Sequence, residues 1–347
     1  MLLTIDTDAM VEFLVGLLHI PSPTGHTEQA IAYVRDRLAD FPMDLAVTPK
    51  GALVATWPGE RADAPRALTA HVDTLGAIVQ SIKDNGRLQV VQLGGWAWTS
   101  VEGEGVTVFA SNGSTVRGSF LPNKASAHAN RRDAEKGEYD FTDMEVRVDA
   151  RASTREETEA LGIRVGDFVA FDPRVEVGEA GFIRSRHLDD KASVAAIFGA
   201  VQALVRAGQR PKQRTTIHIS SFEEVGHGAA AGLPPDLADL VAIDMAVVAP
   251  GQRSDEFSVT ICAKDSGGPY HFALRRELEA LAESHGLAYQ TDVYLYYQSD
   301  GEAYWRAGGD VRLGLIGPGV DASHHYERTH RDALENTARL IAAYLLS

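Results

Sequence analysis

Residues 78–175 read as short segments of alternating polarity, whereas on both sides of them strand-like apolar runs alternate with helical ones. Asn85-Gly86 and Asn112-Gly113 are two-residue hairpin signals inside this stretch, and Gly94-Gly95-Trp96 and Gly103-Glu104-Gly105 punctuate it further. Met144-Glu145-Val146-Arg147-Val148 and Phe168-Val169-Ala170-Phe171 read as further strands, with a short capped helix over 154–161 between them. Such a stretch cannot continue a strand–helix alternation. The expectation is an α/β domain formed by residues 1–77 and 176–347, interrupted by a small β-rich domain, residues 78–175.

Outside the insert, the α/β texture has a recurrent habit of ending an apolar strand in a chemically active residue. Ala67-Leu68-Thr69-Ala70 delivers His71-Val72-Asp73. Thr215-Thr216-Ile217-His218-Ile219 delivers Ser220-Ser221-Phe222-Glu223-Glu224, and Gly226 and Gly228 let the backbone turn there. Leu240-Val241-Ala242-Ile243 ends in Asp244. Asp189-Asp190 opens an apolar helix over 192–206 that Gly208 closes. A strand over 293–297 and a final strand over 311–316 follow, then the loop Ser323-His324-His325-Tyr326-Glu327-Arg328-Thr329-His330 and a closing helix over 333–346. At the other end, residues 6–41 read as two helices separated by the turn Pro21-Ser22-Pro23-Thr24-Gly25, with Thr27 as a cap for the second.

Composition narrows the function. A formal net charge of −15 over 347 residues argues against a nucleic-acid or anionic-membrane partner, because both would be repelled. Cys262 is the only cysteine, which excludes an intrachain disulfide and a thiolate metal cluster. No segment approaches the roughly twenty apolar residues of a membrane span, and no signal-peptide pattern opens the chain, so the expectation is a cytoplasmic protein.

Each chemical candidate has an ordinary reading on its own: an acidic turn, a surface His–Asp pair, a helix cap. Together they change meaning, because ligands collect at the carboxyl ends of the strands in an open α/β sheet. In His71-Val72-Asp73 the carboxylate can hold one ring nitrogen while the other binds a metal. Glu223 and Glu224, as neighbours leaving a strand, point in different directions and can divide metal binding from proton transfer. Carboxylates and imidazoles without thiolates suit a pair of divalent ions, with zinc, cobalt and manganese all acceptable.

In this order, His-x-Asp, Leu-Asp-Asp, Glu-Glu-Val-Gly, the strand-terminal Asp and a C-terminal His loop resemble the M42 metallo-aminopeptidases over nearly the whole chain. Asp149-Ala150-Arg151-Ala152-Ser153 and Gly162-Ile163-Arg164-Val165-Gly166-Asp167 look like that family's insert. The resemblance implies a mixed-sheet, zinc-exopeptidase-like catalytic domain with an inserted small β-barrel-like domain that helps build homo-oligomers, often dodecamers. It implies two divalent metal ions per subunit. Asp189 would bridge them, with a cis bond to Asp190. His71 and Asp244 would complete one ligand set, and Glu224 and a C-terminal His the other. Glu223 would be the general base and Asp73 its catalytic companion, acting on peptides or small peptide-like substrates.

Three departures stand out. Thr74 replaces the family's usual Glu, Lys191 replaces the commoner Arg, and the last His lacks its usual Ser-Pro context, so that His324 is preferred to His325. The Tyr-Glu-Arg-Thr-His ending resembles a subgroup linked to the osmoprotectant N-acetylglutaminylglutamine amide. Asp300 is a further pocket candidate. Two rival readings are a glycosidase using Glu223 with another carboxylate, which leaves the histidines and Asp189 unexplained, and a non-catalytic protein retaining a vestigial site.

Overall fold

The protein is described by a computed structural model covering residues 3–134 and 138–347. It divides into two compact units, residues 3–73 with 174–347, and residues 74–173.

Twelve strands among the described residues form the mixed sheet of the first unit. Four of them are parallel and adjacent, in the order Gln213–Ser220, Arg61–His71, Asp239–Ile243 and Arg312–Asp321. Leu68, Ile217, Val241 and Ile316 are buried in them, and so are the polar Thr69, Thr215, Thr216 and His218, as expected of strands covered on both faces. Register aligns their carboxyl ends: His71 lies opposite Ser220, and Ile243 opposite Ile316. The helix Leu188–Arg206 packs beneath this edge with the helices Thr7–Leu18 and Arg331–Leu345. It is small-residue-rich (Ala192, Ala195, Ala196, Ala200, Ala203) and buried on nearly every side, which explains its weak amphipathic pattern.

Three expectations need correction. The strand placed over 293–297 lies four residues earlier, at Tyr289–Val293, because it pairs in parallel with Val259–Lys264, whose last residue meets Val293. The β-favouring Tyr294-Tyr297 run has no strand to pair with beyond that point and leaves Leu295 and Tyr296 exposed. The loop expected over 323–330 contains the strand Glu327–His330, which pairs antiparallel with Phe182–Ser185. Thr27 stands at the N-cap of Glu28–Leu38 without a side-chain hydrogen bond to the helix, whereas Asp6 caps Thr7–Leu18 by accepting from Ala9 N at 3.0 Å.

In the second unit, six strands close into a barrel: Gly76–Ile82, Leu88–Leu93, Met144–Val148, Thr115–Pro122, Gly105–Phe109 and Phe168–Phe171, in that order around the wall. Both hairpins signalled by Asn-Gly form here. Alternate residues point inward, so Val79, Val90, Val106, Val108, Phe120, Val146 and Val169 fill the interior. Thr154 caps the helix Arg155–Ala160 through Glu157 N.

Candidate active site

At the carboxyl edge of the four parallel strands, the structure gathers the residues that the sequence scatters over more than 250 positions. His71 is the last residue of its strand, Asp244 follows directly on another, and Glu223 and Glu224 come just after Gln213–Ser220. Gly226, at φ +84°, turns the chain back so that its N–H donates to Glu223 O at 2.6 Å. Asp189 and Asp190 open the long helix with non-helical dihedrals and are joined by a cis peptide bond.

Two sets of donor atoms converge: His71, Asp190 and Asp244 form one, and Asp189, Glu224 and His324 the other. Asp189 lies between them. Its Oδ1 is 3.2 Å from His71 Nε2, and its Oδ2 is 3.4 Å from His324 Nε2. His324 Nε2 is also 3.8 Å from Glu224 Oε2. Glu223 Oε2 stands 3.6 Å from His71 Nε2 but belongs to neither set. His325, by contrast, is exposed, with Nδ1 3.4 Å from Ser323 O. His324 reaches the cluster by adopting φ +64°, a left-handed conformation uncommon for a side-chain-bearing residue.

A second tier of contacts holds these groups, and much of it escaped the sequence reading. Glu327, fully buried, accepts from Asp189 N and His324 N, each at 3.0 Å, thereby tying one donor loop to the other. Asp190, read from sequence only as the partner in a cis bond, contributes a donor atom, and its Oδ2 accepts from His71 N at 3.3 Å. Asp73 does more than face the His71 ring. Its backbone carbonyl is the closer ring contact, 2.9 Å from Nδ1, with Oδ1 at 3.5 Å. Its carboxylate accepts the amides of Glu223 at 3.1 Å and Glu224 at 3.2 Å, and Thr24 Oγ1 donates to it at 2.8 Å.

Other singled-out residues have different duties. Asp300 does not open onto the cleft. It is buried at the start of the helix Asp300–Arg306 and accepts from Ala229 N at 2.8 Å and Thr69 Oγ1 at 3.2 Å. Lys191 is fully buried and donates to Leu17 O and Ile20 O, satisfying carbonyls at the end of the helix Thr7–Leu18. Burial pushes its pKa down to about 7.

The electrostatics of the cluster favour a counter-charge. Burial raises the carboxyls of Asp190, Glu223, Asp244 and Glu327 well above their ordinary range, and Glu224 is pushed up to about 8 by burial against the pull of His324. Neighbouring carboxylates add to each shift. Burial also disfavours charge on Asp189, but hydrogen bonds from His324 and His71 outweigh it and hold the carboxyl low. His71 Nε2, Asp190 Oδ1 and Glu224 Oε1 are buried and make no well-directed hydrogen bond among the described residues. Orphaned imidazole and carboxylate atoms aimed at common points fit divalent cations, which supply both the missing partners and the missing charge.

Residues 51–340 match the family model described as M42 glutamyl aminopeptidase. The chain belongs to the M42 family. It is accordingly a hydrolase acting on peptide bonds, of aminopeptidase type. A Bacillus subtilis (strain 168) protein named "Putative aminopeptidase YhfE" is 44% identical over 97% of both chains. Among solved structures, aminopeptidase APDkam598 from Desulfurococcus kamchatkensis superposes with TM-score 0.88 at 23% identity, covering 98% of this chain and 95% of that one. The Pyrococcus horikoshii TET1 peptidase, which can assemble into a tetrahedron or a large octahedral shell, gives 0.85 at 24% identity over 97% and 99%. These likenesses establish the shared fold, a mixed α/β sheet with a closed six-stranded barrel.

Proposed function

We propose that this M42 enzyme removes the N-terminal residue of peptides or small peptide-like molecules with two divalent cations, zinc, cobalt or manganese. His71, Asp190 and Asp244 would hold one cation and Glu224 and His324 the other, with Asp189 shared between them. The observation that carries this reading is the position of Asp189, whose two oxygens face one histidine each. When bound, such a cation pair lowers the pKa of a water molecule and polarises the scissile carbonyl.

Glu223 does the proton work. Its carboxylate stands 3.6 Å from His71 of one donor set and belongs to neither, so it is free to accept the proton of the attacking water. From that position it can hold the proton and pass it to the departing amine. Asp73 keeps this carboxylate in place by gripping the Glu223 and Glu224 amides, and it orients His71 through its own carbonyl. The barrel unit is proposed to serve assembly of a homo-oligomer, in line with the shells formed by the similar TET1 peptidase. A glycosidase reading would leave His71, His324 and Asp189 without work.

The test is Glu223→Gln. The variant is expected to bind metal at wild-type stoichiometry, measured by inductively coupled plasma mass spectrometry, while kcat falls by about 10²–10⁴-fold. Full activity in that variant would remove Glu223 from the proton-transfer role.

A further inference from the structure

A cleft of about 620 Å³ opens on the acidic cluster, and its remaining wall has a different chemistry. The apolar members are Val225, Met245, Val247, Tyr296 and Tyr297. This wall is built on fixed elements. Val247 lies in the strand Ala246–Val248, paired with the end of Arg312–Asp321, and Tyr297 donates its hydroxyl to Met245 O at 2.9 Å. Tyr296 is 97% exposed, so its ring has a full apolar face still to bury.

The wall lacks charge as clearly as the cluster has it. No Lys or Arg lines the cleft among the described residues. Arg306, which touches the lining residue Gln298, spends its guanidinium on Gln298 Oε1 at 3.0 Å and Glu302 Oε2 at 2.6 Å. A glutamyl side chain placed here would lose water, meet no cation and face a field of carboxylates. A lysyl side chain would find only the carboxylates of the proposed cation sites and Glu223, which the proposed reaction reserves for proton transfer. An apolar side chain loses nothing and covers Tyr296, Tyr297 and Val247.

We infer that this wall receives the side chain of the substrate's N-terminal residue and selects neutral apolar residues, aromatic ones included, over acidic and basic ones. The inference rests on the aminopeptidase reading above, and it sets this chain apart from the glutamyl preference in the description of the family model.

The test is kcat/KM of the full-length, metal-supplied enzyme on leucyl-, phenylalanyl-, glutamyl- and lysyl-p-nitroanilide. Leucyl and phenylalanyl substrates are expected to exceed the other two by at least about tenfold. A glutamyl or lysyl value equal to or above the leucyl one overturns the inference. Val247→Arg places a cation on the wall and is expected to raise the glutamyl-to-leucyl ratio by about tenfold. An unchanged ratio in a folded variant overturns the placement. Val225→Arg, at a position 41% exposed, provides the same measurement if Val247→Arg does not fold. Hydrolysis of none of the four substrates would count against the peptidase reading instead. Calorimetric titration of the metal-loaded chain with free leucine, phenylalanine, glutamate and lysine would then judge the wall alone. Tighter glutamate or lysine, or no binding by leucine and phenylalanine, overturns it.

Discussion

Thr24 shows how far from the chemistry a site can be held. Its hydroxyl reaches across 49 positions of sequence to Asp73, which in turn holds the two amides behind Glu223 and Glu224. Thr24→Val keeps the shape and removes the donor, leaving a buried carboxylate oxygen one hydrogen bond short, at a cost of about 1–3 kcal/mol. The expected result is a kcat lower by about tenfold with KM within about twofold, and recovery of kcat in Thr24→Ser. A role in stability alone would lower the melting temperature and spare kcat. Glu302 carries a different prediction. Burial, reinforced by a hydrogen bond and charge from Asp265, raises its pKa from 4.5 to about 8. Between those values the native state binds more protons than the unfolded one, so this group's contribution to stability falls as pH rises from about 4.5 to 8. Glu302→Gln should therefore gain on the wild type in melting temperature across that window, and a gap that stays constant with pH would refute the assignment.

At the scale of elements, what the sequence discloses follows from which forces are local. Apolar strands ending in His71, Glu223 and Asp244, and hairpins closed by Asn85-Gly86 and Asn112-Gly113, carry their own signals and are found where expected. The run from Val293 to Tyr297 misleads because β propensity is expressed only where a partner strand continues. Glu327 and Asp190 stay hidden as working residues because their contacts are with backbone amides brought near only by folding. The same limit applies to glycine. Gly317 lies in Arg312–Asp321, where a Cβ would fall 1.7 Å from Asp244 O, a backbone atom with no freedom to retreat. Gly317→Ala must therefore push apart two paired strands at the point where Asp244 N donates to Ile316 O. The expected outcome is a loss of stability of about 1–3 kcal/mol or more, together with bound metal reduced by about one ion per chain. Wild-type metal content in a folded Gly317→Ala protein would show that Asp244 tolerates the displacement.

At the scale of the whole molecule, the proposed cations would tie the stability of the fold to the site. The chain carries a formal charge of −15, and at least five carboxyls are crowded at one buried edge of its sheet. Cations that bind the folded chain and not the unfolded one stabilise it by roughly 2.7–4 kcal/mol at about 100–1,000 times their dissociation constant. Chelation removes that contribution and restores the mutual repulsion of the carboxyls, so it should lower the melting temperature by about 5–10 °C at neutral pH. The shift should be the same in Glu223→Gln, because that residue belongs to neither donor set, and much smaller in His71→Ala or His324→Ala, each of which weakens one set. Re-addition of manganese, cobalt or zinc should restore the transition, with the most effective ion identifying the preferred occupant. A melting temperature indifferent to chelator in a protein shown to be metal-loaded would mean that the carboxyl cluster is neutralised from within. Protonation of Glu224, whose pKa is already pushed up to about 8, would be the first place to look.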